Sequence, residues 1–205
     1  MKRFTTLLLT LFGIIGVAGE GSAQSADSAL VSALQKGGHV IYMRHPATNP
    51  DQADTDPLQL DNTKAQRQLT DEGRRHARAV GEALRALKVP VDRVISSRFH
   101  RAYETAKLLA VADVTTSDDV SEGGLVVSPN ENNRRTRALR LLLGTAPAVG
   151  KNTVIVSHRP NLMDAAGRDF FDMAEGEAAI FQPLGDSKFK LVGRVPIDKW
   201  PQLGK

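Results

Sequence analysis

Apolar positions recur along the chain in two rhythms, one of short continuous runs and one at helical spacing. Leu30, Val31 and Leu34 share one side of a helical pattern over Ser25 to Lys36, which Gly37-Gly38 ends. His39 to Met43 is a short apolar run rich in β-formers, so it predicts a buried strand with Arg44-His45-Pro46 at its carboxyl end. Pro46 cannot continue that strand. From Ala47 to Gln68 the chain holds Pro50 and Pro57, several Asp and Asn and few large apolar residues, which predicts a long surface loop. Thr70 then offers an N-cap, Asp71 and Glu72 suit a first turn, and Ala77, Val80, Leu84 and Leu87 repeat at helical spacing until Val89-Pro90.

The pairing of strand and helix then repeats. Val91 to Ser96 reads as a strand, and Arg101 to Ala110 as a helix carrying Ala102, Ala106 and Leu109 on one side. Val114 to Thr116 predicts a brief strand, Asp118 to Asn133 is punctuated by polar residues and glycine, and Arg134 to Leu143 returns to a helical pattern. Thr153 to Ser157 is the clearest buried strand, followed by His158-Arg159-Pro160; Ala178 to Gln182 and Phe189 to Val195 are further strands. Such alternation predicts an α/β fold, a three-layer α/β/α sandwich on a mostly parallel sheet, with one domain over residues 24–205.

Composition narrows the chemistry. The 205 residues are 41% apolar and 24% charged, as one globular domain requires. Lys and Arg number 27 against 23 Asp and Glu, with no run of like charge, so no dedicated nucleic-acid tail is present and no nucleic-acid partner is expected. The absence of cysteine excludes disulfides, thiolate metal ligands and a cysteine nucleophile. Lys2 and Arg3, an apolar run from Leu7 to Val17, and Gly21-Ser22-Ala23 form the pattern of an export signal cleaved after Ala23. The run falls short of the ~20 residues that cross a bilayer, so the mature chain is expected without a membrane span, periplasmic or secreted.

Three reactive clusters fall at one kind of position: Arg44-His45 after the first strand, Ser97 to Arg101 after the second, and His158-Arg159 after the strand ending at Ser157. In open α/β sheets the carboxyl ends of strands border the ligand crevice, so these clusters can converge. Two imidazoles and two or three guanidiniums suit a phosphate group: guanidinium donates paired, charge-assisted hydrogen bonds to its oxygens, and an unprotonated imidazole nitrogen can attack phosphorus. VIYMRHPAT, SSRFHRAYETA and VIVSHRPNL, in that order, resemble the motifs of the histidine phosphatase superfamily, also called phosphoglycerate mutase-like, over about residues 38–165.

The resemblance implies that His45 takes the phosphoryl group, that Arg44, Arg101 and His158 surround it, and that water releases phosphate, with neither metal nor cofactor. Two departures stand out. Pro46 replaces the glycine that often follows the nucleophile, and Arg159-Pro160 replaces the His-Asp pair of the acid-phosphatase branch, so the proton donor must lie elsewhere. Glu122 is the nearest positional match to the mutase-like glutamate, with Glu131 as the other candidate. The expected partner is a small phosphorylated substrate or a phosphorylated envelope component. A phosphomutase and a non-catalytic, phosphate-binding envelope protein are the rival readings.

Arg101 has Glu104 within reach on the same helix, and Arg98 and Arg159 read as solvated rim residues. His39, His76 and His100 read as structural. No His-Glu-x-x-His or Gly-x-Ser-x-Gly pattern occurs, which disfavours zinc and serine hydrolases. Asp51, Asp54, Asp56 and Asp61 are expected to line the entrance and repel polyphosphates.

Overall fold

A computed structural model describes residues 20–123 and 127–204. Six strands, β1 (Val40–Arg44), β2 (Val91–Ser96), β3 (Val114–Thr116), β4 (Asn152–Ser157), β5 (Ala178–Gly185) and β6 (Lys188–Val195), form one sheet in the order β3-β2-β4-β1-β5-β6. The first four in that order are parallel, and β5 and β6 run antiparallel to their neighbours. β5 turns into β6 through Asp186 and Ser187, both with positive φ (49° and 60°), the backbone that a two-residue hairpin turn of matching twist requires.

Among the described residues five α-helices cover the sheet: α1 (Glu20–Lys36), α2 (Asp71–Ala86), α3 (His100–Leu109), α4 (Pro129–Gly144) and α5 (Arg159–Ala166). The period-2 alternation of a strand buried on both faces sorts the core into two halves. Ile41, Met43, Val154 and Val156 face Leu34, Val80, Leu84 and Ala106 of the first three helices. Val40, Tyr42 and Ile155 face Leu139, Leu143, Leu162 and Ala165 of the last two. The sandwich is therefore three-layered.

Local chemistry sets the element ends. The Thr70 hydroxyl accepts from Gly73 N at 2.9 Å and caps α2, an arrangement worth ~1 kcal/mol. Gly73 lies so close to the Ala47 carbonyl that a Cβ there would stand 2.3 Å from it, which fixes α2 against the segment following His45. α4 starts earlier than the apolar spacing predicts, because Ser128 caps it and Pro129 opens its first turn. α5 has no counterpart in the sequence reading, which stopped at Pro160; that proline occupies the first turn, where a missing N–H costs nothing. The expected export signal lies outside the described residues except for Glu20 to Ala23, which open α1. No helix among the described residues is long and apolar enough to cross a membrane.

Candidate active site

Parallel register brings the first and last clusters side by side: Arg44 of β1 pairs with Ser157 of β4, and His45 N donates to the Ser157 carbonyl at 3.1 Å. Beyond β4, Ser96 of β2 pairs with Val156, so Ser97 emerges beside His158. The two imidazoles meet edge to face with ring centroids 5.3 Å apart. Phe99 packs against His158 at 5.2 Å and carries the Arg101 guanidinium over its ring at 4.5 Å. His45, His158, Arg101 and Glu122 are thus gathered from the segments that follow four adjacent strands, β1, β4, β2 and β3.

His45 Nδ1 lies 2.9 Å from the Pro46 carbonyl, and because a carbonyl only accepts, Nδ1 carries the proton. Its Nε2 then holds the free electron pair, and among the described residues no hydrogen bond engages it. A backbone carbonyl does this work, so the replacement of glycine by Pro46 leaves it intact. Burial, the neighbouring His158 and the Arg101 charge push the His45 pKa well below the usual imidazole value. Burial, followed by Arg101, Arg67 and Arg44, pushes His158 down in the same way. Both rings are neutral at pH 7.

His158 Nε2 stands 2.8 Å from Ser97 Oγ, and Nδ1 faces Glu122 Oε1 at 3.5 Å. A proton on Nδ1 avoids setting a bare lone pair against a carboxylate, and Ser97 then turns its hydroxyl hydrogen from Ser121 Oγ, 3.2 Å away, to Nε2. That Nδ1 is buried with no hydrogen-bond partner, as is Arg101 Nε. Buried donors without partners are costly, and each is left able to bind an anion. Tyr42 supports the arrangement from below, its hydroxyl donating to the His158 carbonyl at 2.8 Å.

Arg101 is fully enclosed and holds two carboxylates at once, donating from Nη1 to both oxygens of Asp54 (3.0 and 3.1 Å) and from Nη2 to Glu122. The pairing with Glu104 does not form; Glu104 binds Arg74 at 2.7 Å instead. Arg44 sits at the edge, donating to the Met173 carbonyl at 2.7 Å, with Glu175 3.4 Å away. Arg98 meets Asp61 and Asp118 at 3.5 Å each, and Arg159 donates to the Phe171 carbonyl, which keeps both on the rim.

Glu131 lies in the first turn of α4, where hydrogen bonds from Arg134 and Arg135 pull its carboxyl down to about 2. So held, it has no proton to donate near neutral pH. Asp54 departs from its expected place: it turns inward onto Arg101 and also accepts from Arg67 N at 2.9 Å, instead of lining an entrance with Asp51, Asp56 and Asp61. The sequence reading missed the roles of Asp54, Ser97 and Tyr42 in orienting these groups. Ser97 was within its reach, since it follows a strand end as His45 and His158 do. Among the described residues no group of three or more His, Asp or Glu is arranged to hold a metal ion.

The model of the histidine phosphatase superfamily (branch 1) matches residues 40–127, a span that contains Arg44, His45, Arg101 and Glu122 but not His158. No curated protein matches the sequence significantly. Solved structures share the fold at low identity. The protein histidine phosphatase SixA complexed with tungstate superposes with a TM-score of 0.56 at 18% identity, covering 78% of this chain and 98% of its own. A phosphoserine phosphatase mutant from Entamoeba histolytica, in complex with phosphoserine, gives 0.54 at 16% identity over 78% and 97%. A mycobacterial glucosyl-3-phosphoglycerate phosphatase complexed with VO3 gives 0.53 at 17% identity over 76% and 97%. These likenesses establish the phosphoglycerate mutase-like architecture.

Proposed function

We propose that this protein is a metal-independent phosphomonoesterase of the histidine phosphatase superfamily, working through a phosphohistidine at His45. The observation that carries the reading is the state of His45, a neutral imidazole with Nδ1 anchored on the Pro46 carbonyl and Nε2 unengaged beside His158 and Arg101. Both the family model over residues 40–127 and the neighbours with phosphatase names support it.

In the first step His45 Nε2 attacks phosphorus, an N–P bond forms, and the P–O bond to the leaving group breaks. His158 Nδ1–H and the free edge of Arg101 donate to the equatorial oxygens as charge builds on them. Arg44 adds a second guanidinium from the end of β1. Glu122 takes up the proton of the monoanionic ester as it binds and passes it to the departing alkoxide, which makes it the donor in place of Glu131. In the second step Glu122 takes a proton from water as its oxygen attacks phosphorus, and the N–P electron pair returns to Nε2. The need for that acid favours oxygen esters, because a basic alkoxide leaves poorly without a proton. A phosphomutase would use the same first step but return the phosphoryl group to a second alcohol.

The leader pattern in residues 1–23 supports a periplasmic or secreted site of action, with a small phosphate ester or a phosphorylated envelope component as substrate. Alkaline denaturing quench during turnover of a phosphorus-labelled aryl ester, which preserves the acid-labile N–P bond, is expected to trap label on His45, and His45→Ala to abolish both label and hydrolysis. Label on another residue, or full activity in His45→Ala, refutes the assignment. Tight ester binding without turnover in either protein supports the binding-protein reading instead.

A further inference from the structure

Beside Glu122 and Phe99 a pocket of about 220 Å³ opens, walled by Pro57, Leu58 and Leu60 of the long loop and flanked by Arg98. It shares Leu60 and Arg98 with a second hollow of about 290 Å³ that runs on past His100 and Tyr103. We propose that this cleft takes the leaving group of the substrate, and that this group is an uncharged, partly apolar alcohol larger than glycerol. The proposal rests on the phosphatase reading above.

Three observations carry it. The acid must touch the oxygen of the scissile bond, so a leaving group protonated by Glu122 starts where Glu122 does, and Glu122 lines the pocket. While Arg98, Asp118, Glu122 and Arg135 make the rest of the lining polar, the loop side of the pocket is apolar, with Leu58 75% exposed beside Pro57 and Leu60 on a loop otherwise poor in large apolar residues. Water gains nothing from that surface, whereas an apolar ligand does. The cations in the cleft are already answered: Arg98 by Asp61 and Asp118, and Arg135 by Glu131 and by the Ser121 carbonyl. A second phosphate or carboxylate on the substrate would find Asp118 and Glu122 without an uncommitted guanidinium.

The test uses three primary alkyl phosphates whose alkoxides have similar basicity, n-hexyl phosphate, glycerol 1-phosphate and 3-phosphoglycerate, against the wild-type protein and Leu58→Asp, an exposed change that spares the core. The expected order of kcat/KM is hexyl, then glycerol, then phosphoglycerate, with hexyl ahead of glycerol by about tenfold or more, the worth of a modest apolar contact in a specificity pocket. Leu58→Asp is expected to bring the hexyl-to-glycerol ratio close to one. Equal or inverted preference, or a ratio that survives Leu58→Asp, overturns the proposal. If no ester is hydrolysed the phosphatase reading fails, and calorimetry decides the cleft separately: hexyl phosphate must bind more tightly than orthophosphate, and no tighter binding overturns it.

Discussion

Both carboxylate oxygens of Asp54 rest on the same nitrogen of Arg101, Nη1, and Glu122 holds the other terminal nitrogen. The guanidinium is thereby fixed in rotation, with Nε left without a hydrogen-bond partner. The same contact has an opposing electrostatic effect, since two carboxylates on one cation leave that spot with net negative charge facing a dianion.

Asp54→Asn keeps an oxygen for Arg101 and removes one negative charge. Inhibition by orthophosphate is expected to strengthen on the order of fivefold, as removal of a like charge a few ångströms away predicts at the screened values typical of partly exposed sites. Asp54→Ala, which removes the anchor as well, is expected to lower kcat. An inhibition constant unchanged or weakened in Asp54→Asn contradicts the electrostatic part of this account.

Glu122→Gln separates acid catalysis from binding. Hydrolysis of alkyl esters is expected to fall by ~10²-fold or more, while esters of strongly acidic phenols, whose leaving groups need no proton, fall far less. Equal slowing of the two classes would assign Glu122 to holding Arg101 alone.

Stability is expected to depend on pH through the two buried imidazoles. Each has its folded pKa pushed below the ordinary 6.5, so below pH 6.5 the unfolded chain binds protons that the folded chain refuses. The contribution of the neutral rings is complete above that value and is lost as pH falls from 6.5 toward the depressed folded values. The urea midpoint of the wild type is therefore expected to drop through this window. His158→Gln should flatten the slope, and a slope identical in the two proteins rules out His158 as its source.

Much of this organisation is legible in the sequence because it depends on short-range pattern. β1 spans Val40–Arg44 and β4 Asn152–Ser157, within a residue of where continuous apolar runs predict them. The helix capped by Thr70 follows from residue types that satisfy exposed backbone N–H groups. What pattern cannot supply is the partner of a buried charge. The Asp54 to Arg101 contact spans 47 residues, and nothing in the local composition of the loop distinguishes Asp54 from Asp51, Asp56 or Asp61. α5 escaped for a different reason. Its start at Arg159-Pro160 reads as a stop, and eight residues are too few to establish a period.

The loop from Ala47 to Gln68 is bound to itself, with Thr55 N donating to the Ala65 carbonyl at 2.8 Å and Gln68 N to the Gln52 side chain at 2.9 Å. From within it, the buried Gln66 extends its side-chain oxygen to His100 N at 2.7 Å, at the start of α3, whose own N-cap, Phe99, has no side-chain acceptor to offer. The helix that carries Arg101 thus borrows its terminus from a segment more than thirty residues upstream. Amide protons of the loop and of the first turn of α3 should exchange with solvent as a single cooperative unit, and Gln66→Ala should speed both together.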